Sequence, residues 1–242
     1  MTLAPELVYG RHPVREVLRA GRRQVIEVLC SERALAAEAW LRETSGLRVK
    51  VVAEAALRAA SATPDHQGVV AFCEPYRYAD AWEVAGGDHP LVVCLDGVTD
   101  PQNLGAVCRS AEGAGASGIV LPERGAARVT AAVCRAAAGA VEHLEVAVVV
   151  NLARYLAEVK RGDLWVWAAA ENADADVWSA DLLGGTALVF GAEGTGVRPG
   201  VRRACDGALR IPLSGRVGSL NVSVAAGIML FEAARQRQER RA

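Results

Sequence analysis

Three stretches of this chain combine glycine with polar side chains of the kind that hold ligands. The first, Leu95-Asp96-Gly97-Val98-Thr99-Asp100-Pro101-Gln102-Asn103-Leu104-Gly105, runs on to Arg109. Its Asp/Gly/Pro turn delivers Asn103 as the expected N-cap of a helix. Gly105, Arg109 and Gly113 then recur every four residues along one helical face. Glycine costs a helix about 1 kcal/mol relative to alanine, so a bare face around an arginine suits close approach by another chain or a ligand. It suits close helix packing with a surface arginine equally well. The second stretch, Gly191-Ala192-Glu193-Gly194-Thr195-Gly196, follows an apolar run. Its glycines permit φ > 0 and close backbone approach, yet the order is not that of a dinucleotide-binding turn, and a plain tight turn explains it too. The third, Ile211-Pro212-Leu213-Ser214-Gly215-Arg216-Val217-Gly218-Ser219-Leu220-Asn221-Val222-Ser223, reads as a strand end, a loop with free amides, and a helix capped by Ser219. Leu220, Val224, Ile228 and Phe231 are its expected buried stripe, and Ser223, Ala225, Ala226 and Gly227 leave room for close packing.

These loops need strands and helices to position them. Leu91–Leu95 is a continuous apolar run of the kind that fills a buried parallel strand, and further runs follow at Gly118–Leu121, Leu144–Val150, Leu164–Ala169, Ala187–Phe190 and Ala208–Ile211. Helices are expected around Leu104–Gly115, Val129–Val141, Leu152–Lys160 and Val197–Ala204, and from Leu220 to Arg240. This alternation gives an α/β fold with a mainly parallel sheet covered on both faces. In such sheets ligands gather beyond the carboxyl ends of the strands, which is where all three loops lie. Upstream, strands at Val25–Cys30, Arg48–Val52 and Gly68–Phe72 alternate with helices from Pro13 to Gly21, over Glu32–Thr44 and over Ala55–Ala60. The stretch Glu74–Pro90, rich in Pro, Gly and Tyr, reads as a linker with a short helix near Ala79–Val84. The expected organisation is therefore a small domain at 1–73, a linker at 74–89 and a larger domain at 90–242.

Composition narrows the function classes. With 52% apolar and 23% charged residues in 242, the chain has material for packed cores and does not have the makeup of a disordered protein. No apolar run reaches the roughly 18 residues of a membrane helix. The first ten residues lack the basic-then-apolar pattern of a secretion signal, so a cytoplasmic protein is expected. The six cysteines are scattered with no Cys-x-x-Cys pair and the four histidines are dispersed, so no metal site is expected. A net charge of −1 argues against bulk attraction to nucleic acid. Locally, however, Arg11, Arg15, Arg19, Arg22 and Arg23 face a single acid, Glu16, and Arg235, Arg237, Arg240 and Arg241 crowd the tail. The first cluster is the candidate RNA-phosphate contact; a solvated face accounts for it as well.

Taken together, the three loops resemble those of the SpoU (TrmH-type) branch of the SPOUT RNA methyltransferases. The family's Asn-x-Gly-x-x-x-Arg is matched by Asn103, Gly105 and Arg109. Its Gly-x-Glu-Gly turn is matched by Gly191, Glu193 and Gly194. Its Ile-Pro-x-x-Gly followed by Ser-Leu-Asn-Val-Ser is matched by Ile211, Pro212, Gly215 and Ser219–Ser223. Leu213 stands where many relatives carry methionine. The N-terminal segment, with Tyr9-Gly10, Pro13-Val14, Glu16 and His66-Gln67-Gly68-Val69, is similar to the small ribosomal-protein-like α/β domain that binds RNA in the ribosomal-RNA members. The resemblance is greatest to bacterial enzymes that methylate a guanosine ribose in the peptidyl-transferase region of 23S rRNA.

The resemblance implies a deep trefoil knot toward the C-terminal end, S-adenosylmethionine (SAM) as cofactor, and transfer of its methyl to a ribose 2′-hydroxyl. It implies a catalytic set of Arg109, Asn103, Glu193, Ser219 and Asn221, and cofactor contacts at Gly191, Ile211, Leu213 and Leu220. Large-subunit rRNA and a second copy of the chain are the implied partners, with no metal and no membrane. A tRNA ribose methyltransferase and a non-catalytic RNA-binding assembly factor are the alternative readings.

Overall fold

The structure, a computed structural model, describes residues 4–43, 46–160 and 163–240. The chain opens with β1 (Glu6–Tyr9), α1 (Arg11–Ala20), β2 (Val25–Cys30), α2 (Glu32–Ala37), α3 (Trp40–Glu43), β3 (Val49–Val51), α4 (Glu54–Ser61) and β4 (Val69–Cys73). It continues through α5 (Ala81–Val84), β5 (Leu91–Asp96), α6 (Pro101–Gly113), β6 (Gly118–Pro122), α7 (Ala131–Ala136), β7 (Glu145–Val149) and α8 (Leu152–Val159). It finishes with β8 (Leu164–Ala169), β9 (Ala175–Asp176), β10 (Gly185–Gly191), α9 (Pro199–Ala204), β11 (Gly207–Arg210) and α10 (Val222–Glu239).

Two compact units result. The first comprises Met1–Arg77 together with Arg128–His143, and the second Tyr78–Ala127 with Leu144–Ala242. The boundary expected from sequence is therefore redrawn. Residues 128–143, assigned above to the larger domain, pack with the first unit, and most of the supposed linker, including α5, belongs to the second.

The first unit is built on a four-stranded sheet of order β1-β4-β2-β3. β4 runs antiparallel to both β1 and β2, and β2 runs parallel to β3. α1 ends at Gly21, whose left-handed φ of 61° lets its N–H reach the Val17 carbonyl. The single helix expected over Glu32–Thr44 divides at Glu38, which is extended (φ −113°, ψ 97°); Thr44 lies outside the described residues. The helix expected over Val129–Val141 also divides, because Ala138 and Gly139 adopt φ of 51° and 88°. A Cβ at Gly139 would sit 2.6 Å from the Glu16 Cβ, so this close approach needs glycine. The segment is held by Arg23, which sequence offered as an RNA contact. Arg23 is 5% exposed. Its guanidinium pairs with Glu142 through Nε (3.1 Å) and a shorter Nη2 contact, and lies 5.5 Å from the Tyr76 ring centroid. Burial alone would lower its pKa, but the hydrogen bond and charge of Glu142 more than reverse this and hold it above its usual value.

The second unit is a seven-stranded sheet, β7-β6-β5-β10-β8-β11-β9, and every pairing in it is parallel. Val92, Cys94, Val120, Val166 and Val189 on one face pack with Tyr155 and Leu156 of α8 and Val201 of α9. Alternation turns Val93, Leu95, Ile119, Leu188 and Phe190, all buried, to the other face, where α6 and α10 pack together. The buried stripe of α10 is Val222, Ala226, Met229, Leu230 and Ala233. The expected stripe took its register from Leu220, which precedes the helix, and so named two residues that are half exposed, Val224 and Phe231. The caps also differ from expectation. Asp100, not Asn103, caps α6 by accepting the Gln102 N–H at 2.8 Å. Asn221, not Ser219, caps α10 through the Ser223 N–H at 2.9 Å. Near its other end α10 carries Arg237, whose guanidinium donates to the carbonyls of Leu182, His89, Pro90 and Gly184 at 2.7–3.3 Å, close to where β5 and β10 begin.

Candidate active site

β5 and β10 are adjacent and in register from Leu91/Thr186 to Asp96/Gly191. β6 and β7 extend the sheet from β5, and β8, β11 and β9 extend it from β10. This is the point where strand order reverses, and the crevice beyond it is the expected ligand position in a parallel sheet.

The backbone there turns very tightly. A Cβ on Gly191 would fall 1.9 Å from the carbonyl carbon of Gly196, so no other residue fits. The Gly196 N–H closes the turn onto the Ala192 carbonyl at 2.8 Å, and Gly194 and Gly196 have φ of 78° and 64°. The turn is anchored at its far end by Asp96. This carboxylate is fully buried at the tip of β5. It accepts the Arg198 backbone N–H at 2.8 Å and Arg198 Nε at 2.7 Å, with Arg198 Nη2 closer still. Hydrogen bonding to Asp96 holds the Arg198 guanidinium above its usual pKa.

Three side chains meet beside this turn: Asn103 from the first turn of α6, Glu193 from the glycine turn and Asn221 from the cap of α10. Asn221 Nδ2 donates to Glu193 Oε1 at 2.6 Å and to Asn103 Oδ1 at 2.9 Å, and Asn103 Nδ2 donates to Glu193 Oε1 at 3.2 Å. The Ser223 hydroxyl donates to Asn221 Oδ1 at 2.6 Å, which fixes which way the Asn221 amide faces. Glu193 is thus held by two amides through one oxygen. Its Oε2 has no hydrogen-bond partner among the described residues.

The triangle borders a cavity of about 1030 Å³ lined by the ends of β8, β10 and β11 and the start of α10. Gly191, Ile211, Leu213 and Leu220 all line it, as do Glu193, Ser219 and Asn221. Asn103 is not on its wall and reaches it through its two partners. Arg109 is not brought to the wall either. It stands exposed on α6 with no hydrogen-bond or ion-pair partner among the described residues. Gly215 and Gly218 line the cavity, and a Cβ on either would meet nothing within 4 Å. Among the described residues, no backbone group from 212 to 220 has a backbone partner. The floor of the cavity is therefore open main chain, able to bind through N–H and C=O groups. Asp96 and Arg198 were missed in the sequence, where the only signal was an aspartate ending an apolar strand.

The family model for the SpoU rRNA Methylase family matches residues 90–231, and that for RNA 2′-O ribose methyltransferase substrate binding matches residues 7–79. The 23S rRNA (guanosine-2′-O-)-methyltransferase RlmB of a Burkholderia species is 43% identical over 97% of this chain and 98% of its own length. The protein of that name from Photobacterium profundum is 36% identical over 98% and 100%. Among solved structures, the SpoU methyltransferase AviRb from Streptomyces viridochromogenes, in complex with the cofactor AdoMet, superposes with a TM-score of 0.82. It is 27% identical, over 97% of this chain and 91% of that one.

Proposed function

The chain belongs to the SpoU rRNA methylase family, and from that we propose that it transfers a methyl group from SAM to the ribose 2′-hydroxyl of a guanosine in 23S rRNA. The observation that carries this reading is the Asn103–Glu193–Asn221 triangle at the reversal point of the sheet, bordering a cavity floored by open backbone. The cavity lies at the upper end of the size range of small-molecule and cofactor sites, roughly 300–1,000 Å³. Its free amides, its glycines and the apolar Ile211, Leu213 and Leu220 suit a nucleoside with a charged amino-acid tail. Relatives named for 23S rRNA match almost the whole chain, first unit included, which favours rRNA over tRNA as substrate.

When bound, SAM supplies a methyl group made electrophilic by its sulfonium. The protein's share of the chemistry is to bring the ribose oxygen into line and to stabilise the negative charge that grows on it. Glu193 Oε2 is placed to accept a hydrogen bond from the incoming hydroxyl, because the two asparagine amides hold Oε1 fixed. Ser219, exposed on the cavity rim, offers a further hydroxyl. Arg109 grips an RNA phosphate and stabilises the forming alkoxide. A guanidinium stays protonated in proteins, so the proton passes to water instead. The loops after β10 and β11 form the SPOUT-type knot, a reading supported by the close crossing at Gly191. The first unit grips the RNA, and the protein works in the cytoplasm.

Two copies assemble through α6 and α10, where Val224 and Phe231 are half exposed and a Cβ on Gly113 would lie 3.6 Å from the Phe231 ring. Two-fold dimers are the commonest assembly, and sedimentation at micromolar concentration should give twice the mass of one chain. The function is tested by mapping 2′-O-methyl positions in 23S rRNA from cells with and without the gene, alongside calorimetry with SAM. Loss of one guanosine modification together with SAM binding is expected. An unchanged map, or a folded protein that ignores millimolar SAM, would overturn the assignment.

A further inference from the structure

Three of the five arginines in and just after α1 are already paired with acids. Arg23 is buried against Glu142, Arg19 pairs with Glu16 at 3.1 Å, and Arg11 pairs with Glu38 at 3.3 Å. A different feature of the first unit has the makings of a contact site. A cleft of about 500 Å³ opens where the start of α1, the start of α2, the start of α4 and the loop 64–68 meet. Its floor is rigid. Arg11 donates its backbone N–H to Gln67 Oε1 (3.3 Å) and its Nε to the Gln67 carbonyl (3.2 Å). The Ser31 N–H reaches the Gly68 carbonyl at 2.9 Å, and the Gly68 N–H is accepted by His66 Nδ1 at 3.0 Å. His66 is 4% exposed, and because its Nδ1 accepts the Gly68 N–H, its Nε2 faces Glu54 Oε2 as the donor side, at 3.7 Å. Gln67 is held at φ 53°, a left-handed conformation rare for any residue but glycine. A Cβ on Gly68 would come within 2.6 Å of Ser31 Oγ.

On this floor the free groups are sorted by type. Arg33 and His12 are exposed and without partner among the described residues, and the Gln67 amide nitrogen is equally unengaged. Across from these donors stands the Glu54 carboxylate, whose side chain is 64% exposed. Glu38, the other acid of the cleft, is already taken by Arg11 and by Trp40 Nε1 at 2.8 Å. A bare anion would meet Glu54 as a repulsive neighbour. A nucleotide offers what both sides need: a phosphate for Arg33 and His12, and base or ribose N–H and O–H donors for Glu54. RNA read by proteins is mostly single-stranded, with unstacked bases whose edges are hydrogen-bonded and whose planes stack on histidine or arginine.

We infer that this cleft, through Arg33, His12, Gln67 and Glu54, holds one unpaired nucleotide of the RNA substrate. The inference rests on the proposed rRNA reading and assigns the first unit's grip to the start of α1 and the loops beside it, away from Arg15, Arg19, Arg22 and Arg23.

The test is fluorescence anisotropy with a labelled, loop-containing fragment of 23S rRNA at several salt concentrations. It compares wild type, His12→Ala/Arg33→Ala, Glu54→Gln and Arg15→Ala/Arg22→Ala. A second titration uses guanosine monophosphate, to separate a free nucleotide from one within a strand. The His12/Arg33 double variant should bind the fragment about tenfold more weakly, and the slope of log K against log salt should flatten by about one. Both side chains are exposed and unpartnered, so the melting temperature and SAM affinity should hold. Glu54→Gln is the sharper variant. Removing a negative charge should tighten non-specific RNA binding, whereas turning one of the two acceptor oxygens into an amide donor facing the nucleotide's N–H and O–H groups should weaken it with the salt slope unchanged. Unchanged affinity in the His12/Arg33 variant, tighter binding by Glu54→Gln, or loss confined to the Arg15/Arg22 variant would each overturn the cleft. Wild-type affinity for guanosine monophosphate equal to that for the fragment would assign the cleft to a free nucleotide and overturn it as well. Binding is read without methyl transfer, so a wild-type protein that grips RNA through the cleft yet never methylates it would refute only the proposed function.

Discussion

Replacing Arg198 by alanine should cost both stability and cofactor affinity, although Arg198 has no expected contact with substrate. The variant leaves the fully buried Asp96 carboxylate with a single donor, the residue-198 backbone N–H. Breaking a wholly buried ion pair costs about 3–5 kcal/mol. Here the Arg198 side chain is 55% exposed, so water reaches the gap and the cost is discounted to about 2 kcal/mol. In a chain of this size that lowers the melting temperature by roughly 4–8 °C. Asp96 anchors the far end of the turn that carries Glu193. If the freed turn must be reordered each time SAM binds, the same 2 kcal/mol appears in binding as a loss of up to about 30-fold. Arg198→Lys keeps the charge without the two-point geometry and should recover only part of either quantity. Differential scanning calorimetry and SAM titration on the same preparations read both numbers. A variant melting within about 1 °C of wild type and binding SAM as tightly would show that the Asp96 contact does not hold the glycine turn.

Arg109→Ala should abolish methyl transfer while leaving melting temperature and SAM affinity intact, since Arg109 is exposed and unpartnered. Arg109→Lys should fail too, because a point charge does not reproduce a bidentate fork; near-normal single-turnover rates in either would move the chemistry to Glu193 and Asn221. Arg23→Ala should destabilise the first unit by about 3–5 kcal/mol, because Glu142 is left charged and buried, while Arg23→Met/Glu142→Met should restore most of the loss. Equal calorimetric behaviour of single and double variants would refute that account. Burial pushes the Cys205 thiol up to about 11 and those of Cys73 and Cys134 up to about 12. A thiol reagent at pH 8 should therefore find none of these three in the native protein and all of them in denaturant. The contribution of these thiols to stability should be flat below the ordinary thiol value and fall as pH rises from there toward 11–12. In that window the unfolded chain has released thiol protons that the native protein still binds.

The strands of the parallel sheet were legible as apolar runs between clear breaks: Leu91–Leu95 is buried on both faces, and Leu164–Ala169 is apolar even though Trp165 is exposed. β1 escaped notice because only Val8 of its four residues is fully buried, and β9 has only two residues. The divided helix near Gly139 has a tertiary cause, the approach of Glu16, which no local pattern carries. Asp100 and Asn103 are equally good caps by type, and only the geometry of the turn after β5 chooses between them. Glu193 and Asn221 were readable from motifs within single loops. The Asp96–Arg198 pair was not, since its members lie 102 residues apart and meet only because β10 lies beside β5. The fate of Arg23 depended in the same way on a glutamate 119 residues downstream.

That last separation matters for how the protein is made. Synthesis is vectorial, and the first unit needs residues that emerge late. About 50 residues separate Arg77 from Arg128, a delay of roughly 3–10 s at synthesis rates of about 5–20 residues per second. Throughout that interval the nascent N-terminal segment has Arg23 without Glu142 and β1 without the α7 helix that packs on it. It waits as an incomplete body with a bare strand at the edge of its sheet, the kind of surface that invites wrong pairing. A fragment ending at Arg77 should therefore behave as a chaperone client and not as a domain, and translation stalled before His143 should leave chains that aggregate. Recombination that exchanges the first 77 residues between relatives would also separate Arg23 from the glutamate it grew up with, so the two segments should be inherited together.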